Sequence, residues 1–196
     1  NVVSGMATGR DKAAGALYVM SVLDDPQIEA AYRTSYLAQR IIDLPAEDAG
    51  REWRAWKAKE SQITQLEAEE KRLGLQGKLI DAIKAARAWG GGAILIGDGT
   101  DDLSKELKPD SIGKGGVKYL TVMRRQELTA GEIENDPREP NYGRPKDYSI
   151  NTPSGALPIH PSRLVILRGK IAPGGNITQV NNWGDSVLNT VLSAVQ

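Results

Sequence analysis

The segment from Ala86 to Gly99, ARAWGGGAILIGDG, limits the folds open to this chain more than any other. It joins a helix-period stretch to a short apolar run through three consecutive glycines. Ala93–Gly97 shows no polar alternation, so it reads as a strand buried on both faces. Before it, apolar residues recur at three- to four-residue spacing. After it, short runs separated by turn signals dominate. The order is helices, then several strands, then a helix. That pattern is α+β: N-terminal helices, a small mixed or antiparallel sheet, and a closing helix. It is not the regular alternation of a doubly wound sheet.

Asp24 or Asp25 is placed to cap a helix over Pro26–Ile42, with Pro26 in its first turn. Ile28, Ala31, Ser35, Ala38 and Ile42 form its apolar stripe, flanked by Tyr32 and Tyr36. Pro45 is expected to stop this helix near Asp43, because proline disfavours helical geometry in the residue before it. Arg51–Lys57 alternates and reads as a strand. Ser61–Trp89 reads as two helices with a bend near Gly74; Gly74 and Gly77 each cost about 1 kcal/mol relative to alanine in a helix interior. Gly90–Gly92 should end the second of these and allow Trp89 to pack closely. Further strands are expected at Lys118–Glu127, Lys146–Ile150 and Arg163–Arg168. Asp98–Gly116 and Ile171–Trp183 read as loops and Thr129–Pro145 as irregular. Asp185 is placed to cap the last helix. Residues 1–25 read as an N-terminal arm or lead-in, and 26–196 as one α+β domain.

The chain holds 25 basic and 25 acidic residues in 196, so its net charge is zero. That balance argues against tight nucleic-acid binding, which shows a basic excess. There is no cysteine, which removes disulfides, thiolate metal sites and thiol nucleophiles. No apolar run approaches the roughly 20 residues needed to cross a bilayer, and no signal-peptide pattern opens the chain. The start at Asn1 and the end at Gln196, inside a helix-like pattern, lead us to expect a fragment of a longer protein.

The segments that look chemical have simpler readings. The glycines at 90–92 follow a helix and precede a strand, the reverse of a phosphate loop. Gly113-Lys114-Gly115-Gly116 lacks the spacing and the hydroxyl residue of a P-loop. Asp98, Asp101 and Asp102 cluster, but an EF-hand would need a glycine where Leu103 stands and a glutamate where Pro109 stands. They read as a solvated acidic turn. His160 is the sole histidine and reads as a turn residue whose ring bonds the backbone. Ser162 has no glycine frame of a nucleophile elbow. Glu47, Asp48 and Glu52 beside Arg51 and Arg54 read as ion pairs, within or between chains. We therefore expect no catalytic residues, no cofactor, no metal and no enzymatic activity.

Four blocks in order carry a family resemblance: YRTSYLAQRIIDLPAEDAGREWRAW at Tyr32–Trp56, ARAWGGGAILIGDG at Ala86–Gly99, DPREPNYGRPKDYSI at Asp136–Ile150, and IHPSRLVILRG at Ile159–Gly169 followed by WGDSVL at Trp183–Leu188. Together they resemble the portal proteins of tailed bacteriophages, over most of the chain from about Asp25. The resemblance implies the N-terminal wing region of a structural subunit in a ring, a homododecamer at the capsid vertex of a virion assembled in the host cytoplasm. Stem and clip would lie beyond residue 196. It implies as partners the chain itself, the major capsid protein or scaffold, the terminase large subunit, neck and tail adaptor proteins, and double-stranded DNA in weak passing contact, with no membrane. Alternatives of another kind are a phage enzyme domain acting on nucleic acid or nucleotides, and a head-completion or adaptor module that forms no ring. Tyr32, Tyr36, Arg40, Arg51, Trp53, Arg54 and Trp56 are the expected subunit-interface residues, aromatics as anchors and arginines for register. The tryptophans read equally well as core.

Overall fold

A computed structural model describes residues 22–153, 155–171 and 183–191. Residues 1–21 of the expected 1–25 lead-in, most of the 171–183 loop and the chain end lie outside these. Helices α1 (Asp25–Thr34), α2 (Tyr36–Arg51), α3 (Glu60–Leu73) and α4 (Leu75–Trp89) come first, then strand β1 (Gly91–Gly97). Strands β2 (Tyr119–Arg124), β3 (Leu128–Ala130), β4 (Tyr148–Thr152), β5 (Gly155–Ile159) and β6 (Leu164–Arg168) follow, and α5 (Leu188–Val191) closes the described chain. The α+β order expected from sequence is present. The strands, however, form two antiparallel three-stranded sheets, ordered β2-β1-β6 and β3-β4-β5.

The start of α1 follows its sequence signal. Asp24 accepts from the Gln27 backbone N–H at 2.8 Å, and Gln27 returns a bond to the Asp24 N–H at 3.1 Å. The end differs. Ser35 breaks the expected single helix, closing α1 with its N–H on the Ala31 carbonyl and opening α2 with its hydroxyl 3.3 Å from the Ala38 N–H.

Pro45 does not stop α2, which runs on to Arg51. A proline at position 45 cannot donate to the Ile41 carbonyl one turn back. Arg87, reaching across from α4, donates to that carbonyl at 2.6 Å and to the Ile42 carbonyl at 3.2 Å. The orphaned acceptor is satisfied from outside the helix, so the helix tolerates the proline. The bend expected near Gly74 is present: that residue adopts φ 62° and bonds back to the end of α3.

β1 occupies the centre of its sheet, and its two faces bury against different layers. Ala93 and Leu95 join a cluster with Met123, Tyr148, Leu164 and Trp183, facing the second sheet. Ile94 packs with Ala82 of α4 and Leu120. This accounts for the lack of alternation in its sequence. The three glycines make room for other neighbours than Trp89: a Cβ at Gly90 would meet the Gly184 backbone, at Gly91 the Trp183 ring, and at Gly92 the Ala82 carbonyl of α4. Trp89 instead lies partly buried against the helical cluster of Ile28, Ala38, Ile42 and Leu188.

Three strand expectations change. Arg51–Lys57 forms no strand, since no partner strand lies beside it. The expected Lys118–Glu127 strand is cut short at Arg124 by a 3₁₀ turn at Arg125–Glu127, after which the chain changes sheet. β5 escaped notice because it carries Pro158, tolerated there on an edge strand. At the end, Asp185 pairs with Lys170 as an isolated bridge, and it is Ser186 Oγ that accepts the Leu188 N–H, at 3.1 Å.

Candidate functional site

The residues expected at an interface fall into two groups. On α1 and α2, Tyr32 is partly buried and donates to the Asp43 carboxylate at 3.0 Å. Burial raises its pKa, and the Asp43 bond and charge raise it further. Asp43 also lies 3.5 Å from Lys84, whose ammonium bonds Glu47 at 2.8 Å. Burial lowers the Lys84 pKa, but the Glu47 bond and the nearby acids raise it overall. Tyr32 is thus an internal clasp between the first two helices. Tyr36, by contrast, is 73% exposed, with the Arg40 guanidinium 5.8 Å from its ring centre. Leu37, the next residue, and Leu44, about two turns further along the same helix, are also exposed. Arg51 closes on Asp48 of its own helix.

The second group lies on the linker after α2. Arg54 sits between the rings of Trp53 and Trp56, 5.2 and 4.4 Å from their centres. All three converge on α3, where Glu70 accepts from Trp53 Nε1 at 2.9 Å and from Arg54 Nε at 2.8 Å. Partial burial would raise the Glu70 pKa, but the Trp53 and Arg54 bonds outweigh it and the net shift is downward. The tryptophans are half-buried, neither plain core nor free surface. The Trp56 Nε1–H is buried with no hydrogen-bond partner among the described residues. Of the ion pairs expected here, Arg51–Asp48 forms within the chain, while Arg54 pairs with Glu70 and Glu47 with Lys84, and Glu52 has no ion pair among the described residues.

A polar cleft of about 860 Å³ opens where β6 of one sheet faces β4 of the other. Leu164, Ile166 and Arg168 line it, the alternate residues of β6 that share one face. Tyr148 enters from β4, and Arg144 from the turn that precedes it. His160 and Ser162 form the rim. The His160 ring accepts the Ser162 backbone N–H at Nδ1, 3.2 Å away, which is the turn role expected from sequence. The Ser162 hydroxyl lies 2.7 Å from the same Nδ1 and accepts the Leu107 N–H at 2.8 Å. With Nδ1 accepting the Ser162 backbone N–H, the proton of the neutral ring sits on Nε2.

The acidic turn nearby is not simply solvated. Asp98 takes Arg163 Nη1 at 3.0 Å and Thr100 Oγ1 at 2.8 Å. Arg163 is only 2% exposed and also donates to the Lys105 carbonyl. The Arg163 bonds, then the Thr100 bonds, hold the Asp98 carboxyl far below the usual carboxylate range. Asp102 caps Ser104 locally. Among the described residues no group of acidic and histidine side chains could hold a metal ion, and no helix is long and apolar enough to cross a membrane. Sequence reasoning missed Arg144, Tyr148 and Arg168. Their signal lay in the third and fourth blocks of the family resemblance, which supply facing walls of the cleft.

The sequence profile of the phage portal protein family matches residues 26–196, and the chain belongs to that family. Over its whole length the chain is 44% identical to the anti-CBASS protein Acb1 of Caulobacter sp. (strain RHG1), and 40% identical to the protein of the same name in Sphingomonas paeninsulae. Over 90% of its length it is 26% identical to an uncharacterized protein of Haemophilus influenzae Rd. It spans 32% of the length of the first two and 40% of the third. These relatives correct the functional expectation. Family membership suggested a structural subunit of the portal ring. Proteins 40–44% identical to the entire chain carry an anti-CBASS name, not that of a portal ring subunit, while the family profile that matches the chain is portal-like.

Proposed function

We propose that this chain is the portal-like segment of an anti-CBASS protein, and that it serves there as a binding and assembly module rather than as the part that performs chemistry. The observation that carries this reading is 44% identity, over the whole chain, to a protein named for anti-CBASS activity. Two features support the non-catalytic part. The perturbed acids at Asp98, Glu70 and Glu47 each hold a basic side chain in a structural contact. Ser162 is tied on both sides, to His160 and to the Leu107 N–H. The partner we assign to the exposed stripe of Tyr36, Leu37 and Leu44 is a second copy of the chain. α2 carries Arg40 and Asp43 in its first half and Glu47, Asp48 and Arg51 in its second, with Asp48 already closed by Arg51 and Arg40 and Glu47 seven residues apart. An antiparallel pair of α2 helices would therefore set unlike charges across an apolar seam, as a two-fold interface requires.

The test is a chimera. The matching third of the Caulobacter relative is replaced by this chain, and phage growth is measured in a host carrying CBASS. The expected result is protection by the chimera and none by the 196-residue chain alone. Full protection by the chain alone would move the chemistry into this segment. Failure of the chimera beside a protective parent would remove the anti-CBASS assignment.

A further inference from the structure

We propose that the cleft between the two sheets binds a small molecule carrying one oxyanion, a carboxylate or a phosphate monoester, through Arg144, Arg168, the Tyr148 hydroxyl and His160 Nε2–H. The inference stands apart from the anti-CBASS reading.

Its first support is an imbalance among the arginines. Arg144 and Arg168 make no ion pair, side-chain hydrogen bond or ring contact among the described residues. Every other described arginine has a carboxylate, carbonyl or ring partner. Both exceptions line the same cavity. A guanidinium presents several donors in a fixed planar fork suited to an oxyanion.

The second support is Tyr148. The residue is 6% exposed, with its ring 6.4 Å from Trp183 in the core. Its hydroxyl has no hydrogen bond among the described residues, though it borders the cleft. Burial raises its pKa while the charges of Arg168 and Arg144 pull it down, so both guanidiniums lie within electrostatic reach of the hydroxyl. The hydroxyl is not one of the fully buried unpartnered atoms, so it opens on the cleft, where an oxyanion would supply its acceptor. His160, with Nδ1 occupied by Ser162, offers Nε2–H from the rim.

The remaining lining fixes the size and charge of the ligand. Leu164, Ile166 and Pro145 give it an apolar body to lie against. The volume of about 860 Å³ falls in the range of small-molecule sites. Glu106 and Glu139 also border the cleft, while Glu134 is neutralised by Lys146 at 3.4 Å. Two carboxylates with no ion pair among the described residues repel a polyanion, so a nucleic-acid backbone fits poorly and a single anionic group fits well.

Phenyl phosphate and benzoate share an apolar ring and differ in the oxyanion, so titration calorimetry with each separates the two sources. We expect saturable one-to-one binding of one of them. R168Q and R144Q should each weaken it roughly tenfold or more, as loss of a charged hydrogen-bond donor does. Y148F keeps the ring packing and should weaken it several-fold, which serves as the measurement if an arginine variant fails to fold. E139Q should leave it unchanged or tighten it. No saturable binding of either probe would overturn the proposal. So would binding that R168Q, R144Q and Y148F, melting as the parent does, all leave unaltered.

Discussion

Pro45 and Arg87 act as a matched pair: the proline withholds an N–H from the Ile41 carbonyl, and the arginine supplies one from another helix at 2.6 Å. α2 and α4 are thereby joined by a polar contact that neither helix could make from its own sequence. Replacing Arg87 by methionine should destabilise the fold by about 1–3 kcal/mol, the cost of a lost charge-assisted bond and a stranded acceptor. Restoring the backbone donor with Pro45→Ala should shrink that cost. Urea denaturation of the two single variants and the double variant measures the coupling, and strict additivity would show that the pair is not one unit.

Gly91 lies flat against Trp183. Gly91→Ala should cost about 1–3 kcal/mol, the usual penalty of overpacking. Denaturant titration followed by tryptophan fluorescence reads both the stability and the displaced ring.

Asp98 gives a pH dependence with a definite sign. Its carboxyl pKa is depressed in the folded protein by Arg163 and Thr100. The stability it contributes is therefore complete above the unfolded value, about 4, and is lost as pH falls below it. Asp98→Asn should melt at a lower temperature at pH 7, and the gap to the parent should narrow as the pH is taken below about 4. Melting curves across that range test it; a constant gap would mean the pair contributes nothing through ionisation.

The linker over residues 52–59 is held to α3 chiefly through Glu70. Glu70→Ala should release it with little effect on global stability, since the Arg54 side chain is 47% exposed and such pairs are weak. Limited trypsin digestion should then cleave at Arg54 or Lys57 well before the parent chain. Unchanged cleavage would show that aromatic packing alone holds the segment.

Leu37→Glu and Leu44→Glu fall on exposed positions and should leave the melting temperature within a degree or two. Light scattering should find the parent self-associated at high concentration and the double variant monomeric. A monomeric parent would remove the second copy as the partner of α2.

How much could be read from the sequence follows the range of each interaction. Asp24, Pro26 and Gln27 lie within one turn of one another, and Gly74 needs only its own left-handed φ, so both helix boundaries were legible. Pro45 was misread because its remedy, Arg87, stands on a different helix. Arg51–Lys57 alternates like a strand, but a strand needs a neighbour, and the chain offers Trp53 and Arg54 the Glu70 carboxylate instead. β5 was hidden by Pro158, which only edge placement excuses. The cleft was the least legible: Arg144, Tyr148, His160 and Arg168 come from a turn, the start of β4, the cap of a 3₁₀ turn and the end of β6, and no local spacing unites them. Family resemblance located the fold correctly, yet a portal-like domain proved compatible with relatives of a different name.

Leu23 and Asn189 meet at 3.2 Å across 166 positions of sequence, and Leu188 and Trp183 complete the helical and inter-sheet clusters. A ribosome making this chain would therefore hold an unfinished core until these late residues emerged. The early helices would wait with an open apolar face, exposed to chaperones or to the same surface on a neighbouring nascent chain.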